Sequence, residues 1–156
     1  MLKIKHKHSI TLSIALSVIF FIVCGVCAIL MPWITNLLID ARRAVSYDEI
    51  TNTSRIVVLV LAYLVLLTAV TANSLLLNLL LRVNKGEVFT EKSVALIRGV
   101  SWCCLFISGV FCILGFYFHI VFILAFVALF LGLCLRIVKN AFEEATEIKS
   151  ENDLTV

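Results

Sequence analysis

The sequence predicts an all-α integral membrane protein: a four-helix bundle with both termini in the cytoplasm and a short C-terminal helical extension. Three observations lead there. First, 62% of the 156 residues are hydrophobic and only 15% are charged, whereas a soluble domain runs about 45–50% apolar and about 25% charged. Second, the charges are bunched, leaving uncharged runs at Ser9–Ile39, Ile56–Leu81 and Gly99–Leu135. A spanning helix needs about 20 mostly apolar residues. The last run as one helix would be about 55 Å long, far beyond a hydrocarbon core of about 30 Å, so it divides into two spans. Third, basic residues collect on one side. Lys3, Lys5, Lys7, Arg82, Lys85, Lys92, Arg98, Arg136, Lys139 and Lys149 fall inside, against Arg42, Arg43 and Arg55 outside. An odd number of spans would weaken that bias. The whole chain, 1–156, is read as a single membrane domain.

The first span is expected over about 9–31. The basic residues before it invite a signal-peptide reading. The apolar stretch exceeds the 7–15 residues of an h-region, however, and no small-residue cleavage site follows. Pro32-Trp33 follows instead, which suits a helix ending at the outer interface, where Trp collects. His6 and His8 have no further ligands in view, so "KIKHKHS" reads as charge facing lipid. Ser9, Ser13, Ser17 and Gly25 form a small-residue face suited to helix packing. Cys24 and Cys27 have the spacing of a zinc or redox pair. Set in an apolar helix with no second pair, they read as small packing residues.

The segment from Met31 to Arg55 contains Asp40, Arg42, Arg43, Asp48 and Glu49. Its "TNLLIDARRAV" has helical character and is expected to lie along the outer interface. Asn52-Thr53-Ser54 matches a glycosylation acceptor, a match short enough to arise by chance. The second span is expected over 56–81. On it Thr68, Thr71, Ser74, Asn78 and Arg82 fall within about 120° of one another at 100° per residue, while Asn73 lies off that stripe. Such a stripe either bonds across helices or lines a path for a substrate or ion. No Asp, Glu, Lys or Arg lies deep in any predicted span. Such residues mark ion pathways, so a self-sufficient ion-coupled transporter is disfavoured.

Between the second and third spans, Gly86 sits where a left-handed residue would end a helix. Thr90 is the expected N-cap of the next, with Glu91 favourably near its N-terminus. Phe89 and Val94 are spaced for a hydrophobic staple. Arg82, Lys85, Lys92 and Arg98 suit anionic headgroups, each worth on the order of 1 kcal/mol. The third and fourth spans are expected over 95–116 and 119–138, with the turn marked by Gly115 and "FYFH". Ala128 and Gly132 give the fourth span a small face. The tail, 140–156, carries Glu143, Glu144, Glu147, Glu151 and Asp153 against Lys149. Anionic lipids would repel it. It reads as a solvated helical extension, able to dock a basic partner or to fold back on the loop.

Gly86-x-Val88-Phe89-Thr90, then Leu96-Ile97-Arg98 and Trp102, resemble the central signature of the YoaS-like group, a bacterial family of small four-helix membrane proteins of unknown function. The ending Glu151-x-Asp153-Leu154-Thr155-Val156 resembles that group's terminus. The resemblance implies a multi-pass protein of the bacterial inner membrane with no known catalytic residues. It also implies a gene neighbourhood that often holds a small helix-turn-helix regulator of the Cro/C1 type.

No HExxH, GxSxG or P-loop and no paired membrane carboxylates occur, so neither an enzyme nor a cofactor or metal site is expected. No basic stripe stands clear of the membrane, so direct nucleic-acid binding is not expected either. The reading is a regulatory or interaction protein. It would engage a cytosolic partner, such as a helix-turn-helix regulator, through Arg82, Lys85, Lys92, Arg98, Glu143, Glu144 and Glu147. It would also contact membrane lipids, and it is a candidate homo-oligomer. The alternative is a small oligomeric transporter, channel or immunity-type protein built on Thr68, Thr71, Ser74 and Asn78.

Overall fold

A computed structural model describes residues 2–45, 52–87 and 89–154. Four helices fill them: α1 Leu2–Val45, α2 Asn52–Asn84, α3 Glu91–Gly115 and α4 Val121–Leu154. Each is long and apolar enough to cross a membrane. The large apolar side chains confirm the solvent they need. Ile29, Phe116 and Phe126 are 80%, 75% and 70% exposed, a surface that water would not tolerate but a hydrocarbon core covers. The protein is a multi-pass membrane protein.

The helices pack in chain order. Among the described residues α1 touches α2, α2 touches α3, α3 touches α4, and α1 and α4 do not meet. The bundle is therefore open along one side, and each successive pair is antiparallel. As α1 rises through Ser17, Ala28 and Asn36, its bonded partners on α2 descend through Asn73, Tyr63 and Arg55. Both termini lie at one end of the molecule, with the α2–α3 loop. The α3–α4 turn lies at the other, spanning Phe116 to Ile120, where the sequence places it. A small core of Val58, Val110 and Leu114 backs that turn, with Leu61, Tyr117 and Phe118 around it.

One boundary departs from expectation. Pro32 does not end α1, which continues through it to Val45, so "TNLLIDARRAV" is the last part of the first helix. Proline lacks an N–H and leaves the carbonyl four residues back without its usual donor. Here that carbonyl is Ala28 O, and the Tyr63 hydroxyl on α2 donates to it at 3.1 Å. Neighbouring helices satisfy freed backbone groups in this way inside membranes. Gly25 also departs: a side chain there would meet nothing within 4 Å, so it does not mark a helix contact. Gly132 does. An added Cβ would lie 3.0 Å from Leu105 Cδ2 and 3.3 Å from Cys104 Cβ, so glycine marks a tight approach of α4 to α3 that any side chain would push on.

Asp48, Glu49, Val88, Thr155 and Val156 lie outside the described residues. The side chains of Lys3, Lys5, Lys7, His6, His8, Arg43, Lys149 and Asp153 lie outside them too.

Candidate functional site

The end carrying both termini is built around the α2–α3 loop. Gly86 adopts φ 85°, the left-handed conformation that closes α2 as its position in the sequence predicts. Its N–H donates to Val83 O at 3.0 Å, and the Glu87 N–H reaches back to Arg82 O at 3.1 Å. This paired closure satisfies carbonyls that a helix end otherwise leaves bare. Glu87 also returns its carboxylate to Arg82 at 2.8 Å. Thr90 caps α3 with extended φ −139° and ψ 150°, and its hydroxyl accepts from the Ser93 N–H. Ser93, fully buried, donates its own hydroxyl to Glu87 O at 3.0 Å. The loop is thus tied at its start, middle and end.

The α4 extension packs on this loop. α4 continues about 16 residues beyond Val138, roughly 24 Å at helical rise. The Phe89 ring lies 5.5 Å from that of Phe142, tilted by 34°. Arg98 Nη2 donates to Glu143 Oε1 at 3.2 Å, and Lys139 Nζ donates to the other oxygen of the same carboxylate. Both partners of the Arg98 pair are about half exposed, so it orients the extension more than it stabilises it. Lower on the same seam, Arg136 sits 4.9 Å over the Trp102 ring. The tail is an unbroken continuation of α4, and these contacts hold its first residues, Phe142 and Glu143, against the loop and α3.

Two hollows flank Ala95 at this end. One, of about 740 Å³, lies between the start of α3 and the extension, with Glu91, Arg98, Glu143 and Glu147 on its walls. The other, of about 670 Å³, lies between the end of α2 and the start of α3, with Arg82, Lys85, Lys92 and Asn78. Of the charged residues on their walls, acids predominate in the first and bases in the second. Glu144 and Glu147 are exposed on the extension. Among the described residues, no group of three His, Cys, Asp or Glu is placed to hold a metal ion.

The stripe on α2 is distributed differently. Thr68, Thr71 and Ser74 donate to Leu64 O, Leu67 O and Val70 O on their own helix, at 2.7, 2.9 and 2.9 Å. Hydroxyls inside helices commonly bond back one turn in this way, and none of these three bonds reaches another helix. Asn78 is exposed on the wall of the basic hollow. The bridging is done by Asn73, the residue off the stripe. Its amide donates to Ser17 O and accepts from Ser17 Oγ, both at 2.9 Å, and both residues are buried. Beside this pair runs an apolar groove of about 580 Å³ between α1 and α3, floored by Ala69 and Ala72. On α3, Ser101 and Ser108 donate to Gly132 O and Ala125 O of α4 at 2.9 and 2.8 Å. One sequence signal marks the α3–α4 bridges, serines seven apart on one helix; Asn73 has none of its own, standing between Thr71 and Ser74 with Asn78 on the same helix.

No curated protein and no solved structure matches the chain. A family model does, over residues 39–156. That stretch takes in α2, α3, α4 and the whole loop-and-extension assembly, and on it the chain belongs to the DUF2975 family, proteins of unknown function.

Proposed function

We propose that this protein is a non-enzymatic membrane platform that presents an acidic helix to a basic cytosolic partner. The observation that supports this most is the docking of the α4 extension on the α2–α3 loop through Phe89–Phe142 and Arg98–Glu143. A helix held at its base is ordered before a partner arrives, which lowers the entropic cost of binding. Glu144, Glu147 and Glu151 recur at spacings of three and four, so they share one face of that helix, and all three are exposed. The excess of Lys and Arg at the termini end supports a cytoplasmic position for it. The YoaS-like resemblance supports the bacterial inner membrane as the location. It also suggests the partner class, a small helix-turn-helix regulator of the Cro/C1 type whose basic surface complements the extension.

The test is co-purification of such a regulator with the full-length protein and with its E144K/E147K/E151K variant. Recovery should fall at least about tenfold in the variant, as like charges then face each other. Equal recovery from both proteins would defeat the proposal. For a transport path along Thr68, Thr71 and Ser74 the hydroxyl geometry offers no support, because each is bonded to its own helix.

A further inference from the structure

The packing sorts the basic residues that the sequence leaves as one group. Arg98 and Lys139 are turned onto Glu143, and Arg136 lies over Trp102. Arg82, Lys85 and Lys92 instead converge on the single hollow between the end of α2 and the start of α3. Glu87 is the acid on that wall, so the lining keeps a basic excess.

The positions are fixed by backbone, not by side-chain chance. Lys85 stands on the closing turn of α2, its N–H donating to Arg82 O at 3.0 Å. Lys92 is the second residue of α3, after the Thr90 cap and Glu91, in the first turn where the helix dipole favours a negative charge. Arg82 is steadied by Glu87 through one terminal nitrogen, which leaves its other donors for a second acceptor. Leu81 and Leu96 form an apolar wall below the charges, and the Asn78 amide lies one turn beneath Arg82 on α2. Charge above and hydrocarbon below, opening at the boundary of the apolar span, are the two halves of a phospholipid at its own depth. At about 670 Å³ the space is within the range of small-ligand sites.

We infer that this hollow is a site for the headgroup of an anionic glycerophospholipid, its phosphate among Arg82, Lys85 and Lys92 and its chains along Leu81 and Leu96. A free phosphate would share the charge chemistry but would have no use for the apolar wall. The site does not depend on the α4 extension having a partner, and the two readings are tested separately.

The experiment is native mass spectrometry of the full-length protein in a neutral detergent, with phosphatidylglycerol or phosphatidylcholine added. The native chain should retain phosphatidylglycerol in preference to phosphatidylcholine. K85Q/K92Q should reduce that preference about tenfold. K3Q/K5Q, which removes as much charge from the same end, should leave it intact. If K85Q/K92Q keeps the preference, the site is wrong. An equal loss in both double variants would replace the site with general attraction of the charged end. Displacement of phosphatidylglycerol by excess inorganic phosphate, with no dependence on the acyl chains, would reduce it to a bare anion site. Size-exclusion profiles and helical content matching the native chain confirm that each variant is folded.

Discussion

The α1–α2 and α3–α4 seams join antiparallel helices by different means. Within the apolar part of α3–α4, small side chains bond to backbone. Ser101 and Ser108 reach carbonyls of α4, and Gly132 lets the helices approach closely enough that a Cβ there would press on Leu105 and Cys104. On α1–α2, the bonds rest on larger polar side chains: Asn73 to Ser17, Tyr63 to Ala28 O and Arg55 to Asn36 at 3.2 Å. Without a hydrophobic driving force between helices in lipid, close packing and interhelical hydrogen bonds hold a seam together. The α3–α4 seam depends chiefly on the first, and the α1–α2 seam on the second. The first should fail when volume is added, the second when a polar group is removed.

The sharpest break is Gly132→Leu. Overfilling a tight contact costs about 1–3 kcal/mol, and the upper end is expected because both Leu105 and Cys104 stand in the way. Unfolding in mixed micelles should show the loss, and a fully stable variant would mean that α4 can slide off its present register. Next in size, Asn73→Leu removes both bonds to Ser17 and should cost about 1–2 kcal/mol at the strength of hydrogen bonds inside membranes. In a Ser17→Ala background the cost should shrink, and full additivity would deny the coupling.

Tyr63→Phe should cost about 1 kcal/mol by orphaning Ala28 O. The informative version repeats it in a Pro32→Ala chain, where the restored N–H of residue 32 takes over that carbonyl. The cost should then nearly vanish, and an undiminished cost would show that the tyrosine works by some other contact. Ser108→Ala should be smaller still, about 0.6 kcal/mol. Smallest of all is Arg98→Gln, an exposed pair that salt screens. It should speed tryptic cleavage at Lys139 at low ionic strength and make no difference at high ionic strength. A change independent of salt would mean that Arg98 acts through packing.

Charge and length made the four spans legible, and local chain stereochemistry made Gly86 and Thr90 legible. Each of these depends on a short stretch of sequence. Pro32 was misread as a helix end because the rule for proline assumes that nothing replaces the lost hydrogen bond. Its rescuer, Tyr63, lies 31 residues away on another helix. Periodicity grouped Thr68, Thr71 and Ser74 correctly on one face, but it carries no information on whether a hydroxyl turns outward or bonds back to its own helix. The same limit hid Asn73, whose importance comes from what stands opposite. The basic residues were likewise seen as one set, since only packing separates Arg98 from Lys85 and Lys92.

The turn from Phe116 to Ile120 holds no Lys, Arg, Asp or Glu. On the proposed orientation, with the termini inside, this turn is the part of the α3–α4 pair that crosses the bilayer as the chain is made. Each Lys, Arg or Asp at the bilayer centre costs about 2.5–3.5 kcal/mol on insertion scales, and here there is none. The end of α1, the start of α2 and the segment between them carry Asp40, Arg42, Arg43, Asp48, Glu49 and Arg55, all of which cross on the same orientation. On that orientation the α3–α4 hairpin carries no charged residue across in its turn, and the α1–α2 pair carries several.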